Sequence, residues 1–157
     1  MTSNKPQSLA TPKLAAYFQD YAAYHRTEGN QITHYFGIPF ILISLLGLLA
    51  QISFGPHLGR GDLVHLDGGI LLVGVGTLWY ARVDWKITLP FFLVLLGSYF
   101  LGRALPIPLA WTLFVAGWIL QGIGHGVFEK KSPAFFKNLT HILIGPLWIF
   151  AKAIGYR

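Results

Sequence analysis

Three of the six histidines stand where a metal site would need them. His25 and His34 lie in Tyr24-His25-Arg26-Thr27-Glu28-Gly29-Asn30-Gln31-Ile32-Thr33-His34, just before the first long apolar run. His125 lies in Gln121-Gly122-Ile123-Gly124-His125-Gly126-Val127-Phe128-Glu129-Lys130, at the close of the last long one. An even number of apolar stretches separates the two segments. If those stretches cross a bilayer, the three imidazoles return to one side. Neutral imidazole is the commonest nitrogen ligand for zinc, iron and copper. The chain has no cysteine, which excludes disulfides, thiolate sites and cysteine nucleophiles and leaves nitrogen and oxygen as the ligand atoms.

Spacing adds to this. Residues nine apart fall on opposite sides of a straight helix, so His25 and His34 can converge only across a break, expected at Gly29-Asn30. His125 and Glu129 are four apart and share a helix face, with Gln121 one turn earlier. Gly122, Gly124 and Gly126 leave room beside that face for a backbone or a substrate. His141, Glu129 and Asp84 are the candidates for a further ligand. Blander roles stand beside these: Glu129 pairing with Lys130, Lys131 or Arg26, Asp84 capping a helix, His141 capping the last one, and His57 and His65 serving only as loop residues. The chain shows no nucleophile elbow and no phosphate-cradling glycine loop.

The elements that must position these residues are hydrophobic. Apolar residues make up 54% of the 157 and charged residues 11%, against roughly 25% charged in ordinary soluble domains. A chain this small has too little interior for that much apolar surface, so lipid is the expected solvent. The net charge of +6 is scattered, with no groove-reading motif, which argues for anionic headgroups and against nucleic acid. Residues 1–11 are polar and expected to be disordered, ahead of a single membrane-embedded helical domain over 12–157. No removable signal peptide is recognised at the start.

Residues 12–28 predict an amphipathic, aromatic-rich helix with Thr11 as N-cap and Pro12 at its first position. Apolar stretches at about 35–54, 64–81, 87–102 and 107–124 predict about four spans, each set against the ~20 residues that a crossing takes. Trp79, Tyr80, Trp85, Tyr99 and Trp111 mark the expected interfacial belt, and glycines 68, 69, 74 and 76 a small-residue packing face. The stretch 139–151, interrupted by Gly145-Pro146, predicts a bent interfacial or re-entrant helix. The fold class is therefore all-α, an integral membrane helical bundle. With both termini cytoplasmic, Lys5, Lys13, Arg26, Arg82, Lys86, Lys130, Lys131, Lys137, Lys152 and Arg157 lie inside and only Arg60 and Arg103 outside, a strong positive-inside bias. A bacterial inner membrane, or in a eukaryote the endoplasmic reticulum, fits this arrangement.

The histidine segments also form two motifs. Tyr-His-x4-Asn-x3-His-x2-Gly-Ile-Pro covers Tyr24, His25, Asn30, His34, Gly37, Ile38 and Pro39. Gln-x2-Gly-His-x2-Phe-Glu-Lys-x2-Pro-Ala covers Gln121, Gly124, His125, Phe128, Glu129, Lys130, Pro133 and Ala134. In order and spacing, over about residues 14–151, the chain resembles the 2-hydroxy-fatty-acid α-dioxygenase family, small membrane proteins known through the fungal enzyme of phytosphingosine degradation. The resemblance implies an Fe(II)-dependent dioxygenase that uses O2 to remove the carboxyl carbon of a 2-hydroxy fatty acid. It implies metal ligation by His25, His34 and His125, and supporting catalytic roles for Asn30 and Glu129. His141 stands where the family more often has glutamine, which makes it an added fourth ligand or a residue behind the ligands. Arg26 and Lys130 would draw the carboxylate from the interface, Gln121 would meet substrate or fix an imidazole, and the acyl tail would enter between helices from lipid.

Rival readings use the same residues. A zinc-dependent lipid hydrolase would activate water on the same imidazoles. A non-catalytic protein binding lipid or a membrane partner would need them only as structure. A bis-histidine haem carrier fits least, because the histidines are not paired along two spans at matching depth.

Overall fold

The computed structural model describes residues 9–54, 66–133 and 138–156. Expectations that fall on residues 1–8, on His57, His65 and Arg60, and on Ala134, Lys137 and Arg157 lie outside these. The described residues form helices α1 (Pro12–Ala23), α2 (Glu28–Leu49), α3 (Gly68–Ala104), α4 (Ile107–Ile123) and α5 (Thr140–Ala153). A π-helical segment, Gly124–Glu129, continues α4. The architecture is all-α, with no strand among the described residues and only an isolated bridge between Ser53 and Asp67.

Three of these helices are long and apolar enough to cross a membrane: α2, α3, and α4 with its π-helical extension. At 37 residues α3 would run about 56 Å if straight, nearly twice the ~30 Å hydrocarbon layer. It breaks at Asp84, whose backbone is extended (φ −157°, ψ 102°). Its two limbs, 68–83 and 85–104, fold back on each other. The rings of Tyr80 and Phe91 are 5.1 Å apart, and near the far end the Tyr99 hydroxyl donates to Asp67 Oδ2 at 2.7 Å. The four apolar stretches thus fall on three helices, one of them doubled. Side chains on the outer faces are apolar and exposed at helical spacing, as in Ile107, Trp111, Val115 and Ile119 of α4. That is the pattern of a bundle solvated by lipid.

Close packing uses other glycines than expected. A Cβ on Gly37 would lie 3.0 Å from the carbonyl oxygen of Gly117, and one on Gly117 would lie 2.8 Å from that of Gly37, so α2 and α4 cross at bare backbone. Gly47 and Gly102 bring α2 against the second limb of α3 in the same way. Gly68 and Gly69 do pack on α2, but Gly74 faces open space and Gly76 meets only the Tyr80 ring. The aromatic belt is corrected likewise. Trp85 and Trp111 are exposed, whereas Tyr80 and Tyr99 are core residues whose hydroxyls donate to Leu143 O and Asp67. Burial is possible there because each phenol finds an acceptor.

Helix α1 begins as expected, with Thr11 as N-cap accepting from Leu14 N and Pro12 in the first turn. It buries Leu14 and Tyr21 against the bundle, and it ends at Ala23, earlier than the sequence pattern suggested. Ala10 is buried and Thr11 N donates to Asp84 Oδ2 at 2.8 Å, so residues 10 and 11 are held against the α3 break. Asp84 also accepts from Lys86 N and the Tyr156 hydroxyl, so Thr11 and Tyr156 are both tied to that break.

Candidate metal centre

The turn between α1 and α2 sets the first ligand pair. Tyr24 caps α1, and Thr27 caps α2 by accepting from Asn30 N at 3.4 Å. The break is therefore at residues 24–27, and Gly29-Asn30 belongs to the first turn of α2. The correction has a local cause: Thr27 with an extended backbone is a good N-cap, and it starts the helix before the glycine. Gly29 instead makes room for the Phe128 ring.

Glu129 holds this turn onto the end of α4. Its buried carboxylate accepts from Arg26 N (3.1 Å), Thr27 N (3.1 Å), Thr27 Oγ1 (3.0 Å) and Asn30 Nδ2 (3.2 Å). A carboxylate with that many donors is a strong, charge-assisted clip. Gly124 packs against α2 so closely that a Cβ there would meet Thr33 Oγ1, Asn30 Oδ1 and His34. The π-helical segment follows directly, and His125 sits within it.

These elements bring three imidazoles together. Ring centroids are 4.5 Å apart for His25–His34 and 4.9 Å for both His25–His125 and His34–His125, each pair edge to face. One nitrogen from each lies within 4.8 Å of the others, and all three rings are buried. His25 Nδ1 lies 2.7 Å from Tyr21 O, and His34 Nδ1 lies 2.8 Å from Asn30 O. A carbonyl can only accept, so each Nδ1 donates and each Nε2 keeps its lone pair. Burial, opposed by the bond to Tyr21 O, holds the His25 pKa down at about 4, so that ring is neutral at pH 7.

The donor set suits a metal. Three imidazole nitrogens within 4.8 Å of one another are the ligand type and grouping that zinc, iron or copper takes. Asn30 Oδ1, Gln121 Nε2, His125 Nδ1 and His141 Nδ1 are buried polar atoms with no hydrogen-bond partner, and all four belong to this region. Unpaired buried polar atoms are rare, and a cluster of them points to a bound ion or ligand.

The remaining expected site residues divide. Gln121 is buried and lines the cavity beside the histidines. His141 lines it too, but outside the three-histidine group, with Nε2 2.8 Å from Asp20 Oδ2. Arg26 and Lys130 are exposed. Lys130, at φ 53°, ends the helical run. Asp84 is taken up at the α3 break. Two neighbours were not anticipated. Tyr21 stacks on His25 at 3.9 Å, one helical turn before it in sequence, a spacing that could have revealed it. Asp20 meets His141 across 121 residues, and no local pattern signals that pairing.

The histidines close one end of a cavity of about 140 Å³. From there Ile38, Ile41, Leu42, Leu45 and Leu46 carry an aliphatic wall along α2, faced by Leu72, Val73 and Leu95 of α3. Residues 34 to 46 span about 18 Å of helix. The arrangement is a polar, nitrogen-rich head beside an aliphatic wall, an amphipathic lining.

Comparison with known proteins agrees with that chemistry. Residues 11–156 match a family model described as 2-hydroxy-palmitic acid dioxygenase Mpo1-like. The chain is 31% identical over 137 residues to 2-hydroxy-palmitic acid dioxygenase MPO1 of Saccharomyces cerevisiae, covering 79% of this chain and 69% of the yeast protein. No solved structure matches it.

Proposed function

The chain belongs to the Mpo1-like family, and from that premise we propose that it is an Fe(II)-dependent dioxygenase cleaving the C1–C2 bond of 2-hydroxy fatty acids with O2. The observation that carries this reading is the group His25, His34 and His125 at the polar end of an aliphatic cavity. His25, His34 and His125 would hold ferrous iron, which would supply the activation of dioxygen and a Lewis-acidic centre for the 2-hydroxy acid.

The chain's own residues do the rest. Tyr21 O and Asn30 O hold the rings of His25 and His34 in the tautomer that presents Nε2. Glu129 and Asn30 keep the α1–α2 turn against the π-helical segment, and so keep His25 beside His125. Gln121, with its amide nitrogen unpartnered, can donate to the substrate carboxylate. The aliphatic walls take the acyl tail and exclude water. Arg26 and Lys130, exposed at the same end, offer positive charge to an arriving carboxylate. The stoichiometry needs no external reductant: C1 leaves as carbon dioxide, C2 becomes the new carboxyl carbon, and dioxygen takes up the electrons with release of water. The positive-inside bias of the sequence supports a cytoplasmic position for this end of the bundle.

The test is purified protein loaded anaerobically with ferrous iron, then given 2-hydroxypalmitate and O2. The expected product is the acid one carbon shorter, formed with uptake of O2 and absent when zinc replaces iron. No shortened acid from iron-loaded protein across a range of chain lengths would overturn the reading. Product that forms with zinc and without O2 would replace it with hydrolysis.

A further inference from the structure

The second polar pair at the head of the cavity is His141 with Asp20. His141 Nε2 lies 2.8 Å from Asp20 Oδ2. A carboxylate can only accept, so Nε2 carries the hydrogen, and the tautomer this bond selects has its lone pair on Nδ1. That Nδ1 is buried and has no hydrogen-bond partner, although the side chain is only 5% exposed. A buried acceptor without a donor costs free energy, so its retention at a cavity wall points to a donor brought by a ligand.

The ring is also well fixed. Tyr21 and Tyr24 pack on it with centroids 5.6 Å away in both cases, the Tyr24 contact edge-on. Tyr21 is the residue that stacks on His25, so the same phenol ring packs on His141 and on a member of the histidine group. His141 therefore sits beside the reacting end of the cavity rather than along its tail-binding walls. Asp20, whose side chain is 51% exposed, meets solvent while its Oδ2 holds the ring.

We propose that His141, held by Asp20, is the specificity-determining residue that recognises the 2-hydroxyl group, its Nδ1 accepting the hydrogen bond that an unsubstituted fatty acid cannot give. The proposal rests on the dioxygenase reading for the identity of the substrate. A site that hydrogen-bonds a hydroxyl discriminates against the analogue lacking it, because the buried partner is then left unpaired.

The experiment uses the full chain in detergent or nanodiscs, loaded with ferrous iron and kept anaerobic so that binding is read without turnover. Affinities for 2-hydroxypalmitate and for palmitate are measured on wild type, His141→Ala and His141→Asn, together with iron content. The expected result is unchanged iron in both variants. His141→Ala should bind 2-hydroxypalmitate about tenfold more weakly with palmitate binding unchanged, the loss expected for one hydrogen bond. His141→Asn, whose amide oxygen can stand near the position of Nδ1, should recover most of the preference. Loss of iron in folded His141→Ala would overturn the proposal by making His141 a ligand. A full preference for the hydroxy acid in that variant would overturn it as well. Should His141→Ala fail to fold, His141→Leu, which fills the site but cannot accept a hydrogen bond, decides: a preference lost there with iron intact is support, and a full preference kept is a refutation. Wild type that makes shortened acid while His141→Ala keeps its preference sinks this proposal alone. Wild type that makes no shortened acid yet prefers the hydroxy acid through His141 sinks the dioxygenase reading alone.

Discussion

His25 and His34 are aimed by the same device, a ring Nδ1 bound to the carbonyl oxygen four residues earlier. The rings therefore arrive with their lone pairs exposed and their rotation restrained. Replacing His25, His34 or His125 singly by alanine should strip iron from the protein, with residual content below about a tenth of wild type if each supplies one ligand, a loss in line with the 10–100-fold that even supporting residues bring. Iron analysis of purified variants checks this. Glu129→Gln should be milder. The neutral amide keeps the shape but loses charge-assisted bonds to Arg26, Thr27 and Asn30, and iron affinity should fall about tenfold. A competitive chelator titration would read it, and wild-type affinity would show the clip to be dispensable. The meeting of His25, His34 and His125 was legible in the sequence because hydropathy returns them to one end and each lies at an element boundary. The Asp20–His141 pair was not, since it is made by the docking of α5 on α1 and leaves no periodic trace.

At the scale of elements, the site depends on how closely the π-helical segment approaches α2. Gly124 touches Thr33, Asn30 and His34 there, while Gly122 and Gly126 have nothing within 4 Å of an added Cβ. Gly124→Val should therefore destabilise the protein by about 1–3 kcal/mol, as overpacking does, and release iron by pushing His125 away from His34. Gly122→Ala and Gly126→Ala should leave both unchanged. Thermal unfolding in detergent with parallel iron analysis separates these outcomes; equal behaviour of all three glycines would remove the close approach as an explanation. The order of the apolar elements could be read from hydropathy, although the second and third stretches are the two limbs of one helix broken at Asp84. Their contacts could not. Glycine counts pointed to the start of α3, but the crossings use Gly37 with Gly117 and Gly47 with Gly102, and the choice depends on which faces meet. The start of α2 was misjudged for a similar reason: Gly29 looks like a breaker, yet Thr27 caps the helix ahead of it and Phe128 occupies the space that glycine leaves.

At the scale of the whole molecule, the helices meet around a cavity with a polar head and an aliphatic body. Its head is built by the α1–α2 turn, the end of α4 and the start of α5, and its body by α2 and the doubled α3. The doubling matters, since Gly76 and Val73 come from one limb and Leu95 from the other. The far wall is close-packed core, with Leu46, Val73 and Leu95 all buried, so tail length should be limited by side chains rather than by open lipid. Gly76 is the position at which that limit can be moved. An added Cβ there would meet only the Tyr80 ring, 3.8 Å away, so a larger side chain has room to grow into the cavity without first displacing backbone. Gly76→Phe should then shorten the accepted tail. Turnover of 2-hydroxypalmitate should fall by about tenfold or more, since a clash of even a few methylenes costs about 1–3 kcal/mol, while 2-hydroxydecanoate should be processed at close to the wild-type rate. Iron content should not change, because Gly76 touches none of the histidines. A uniform loss across chain lengths would mean that the variant damages the fold, and an unchanged profile would mean that the tail leaves the cavity sideways into the bilayer before it reaches α3.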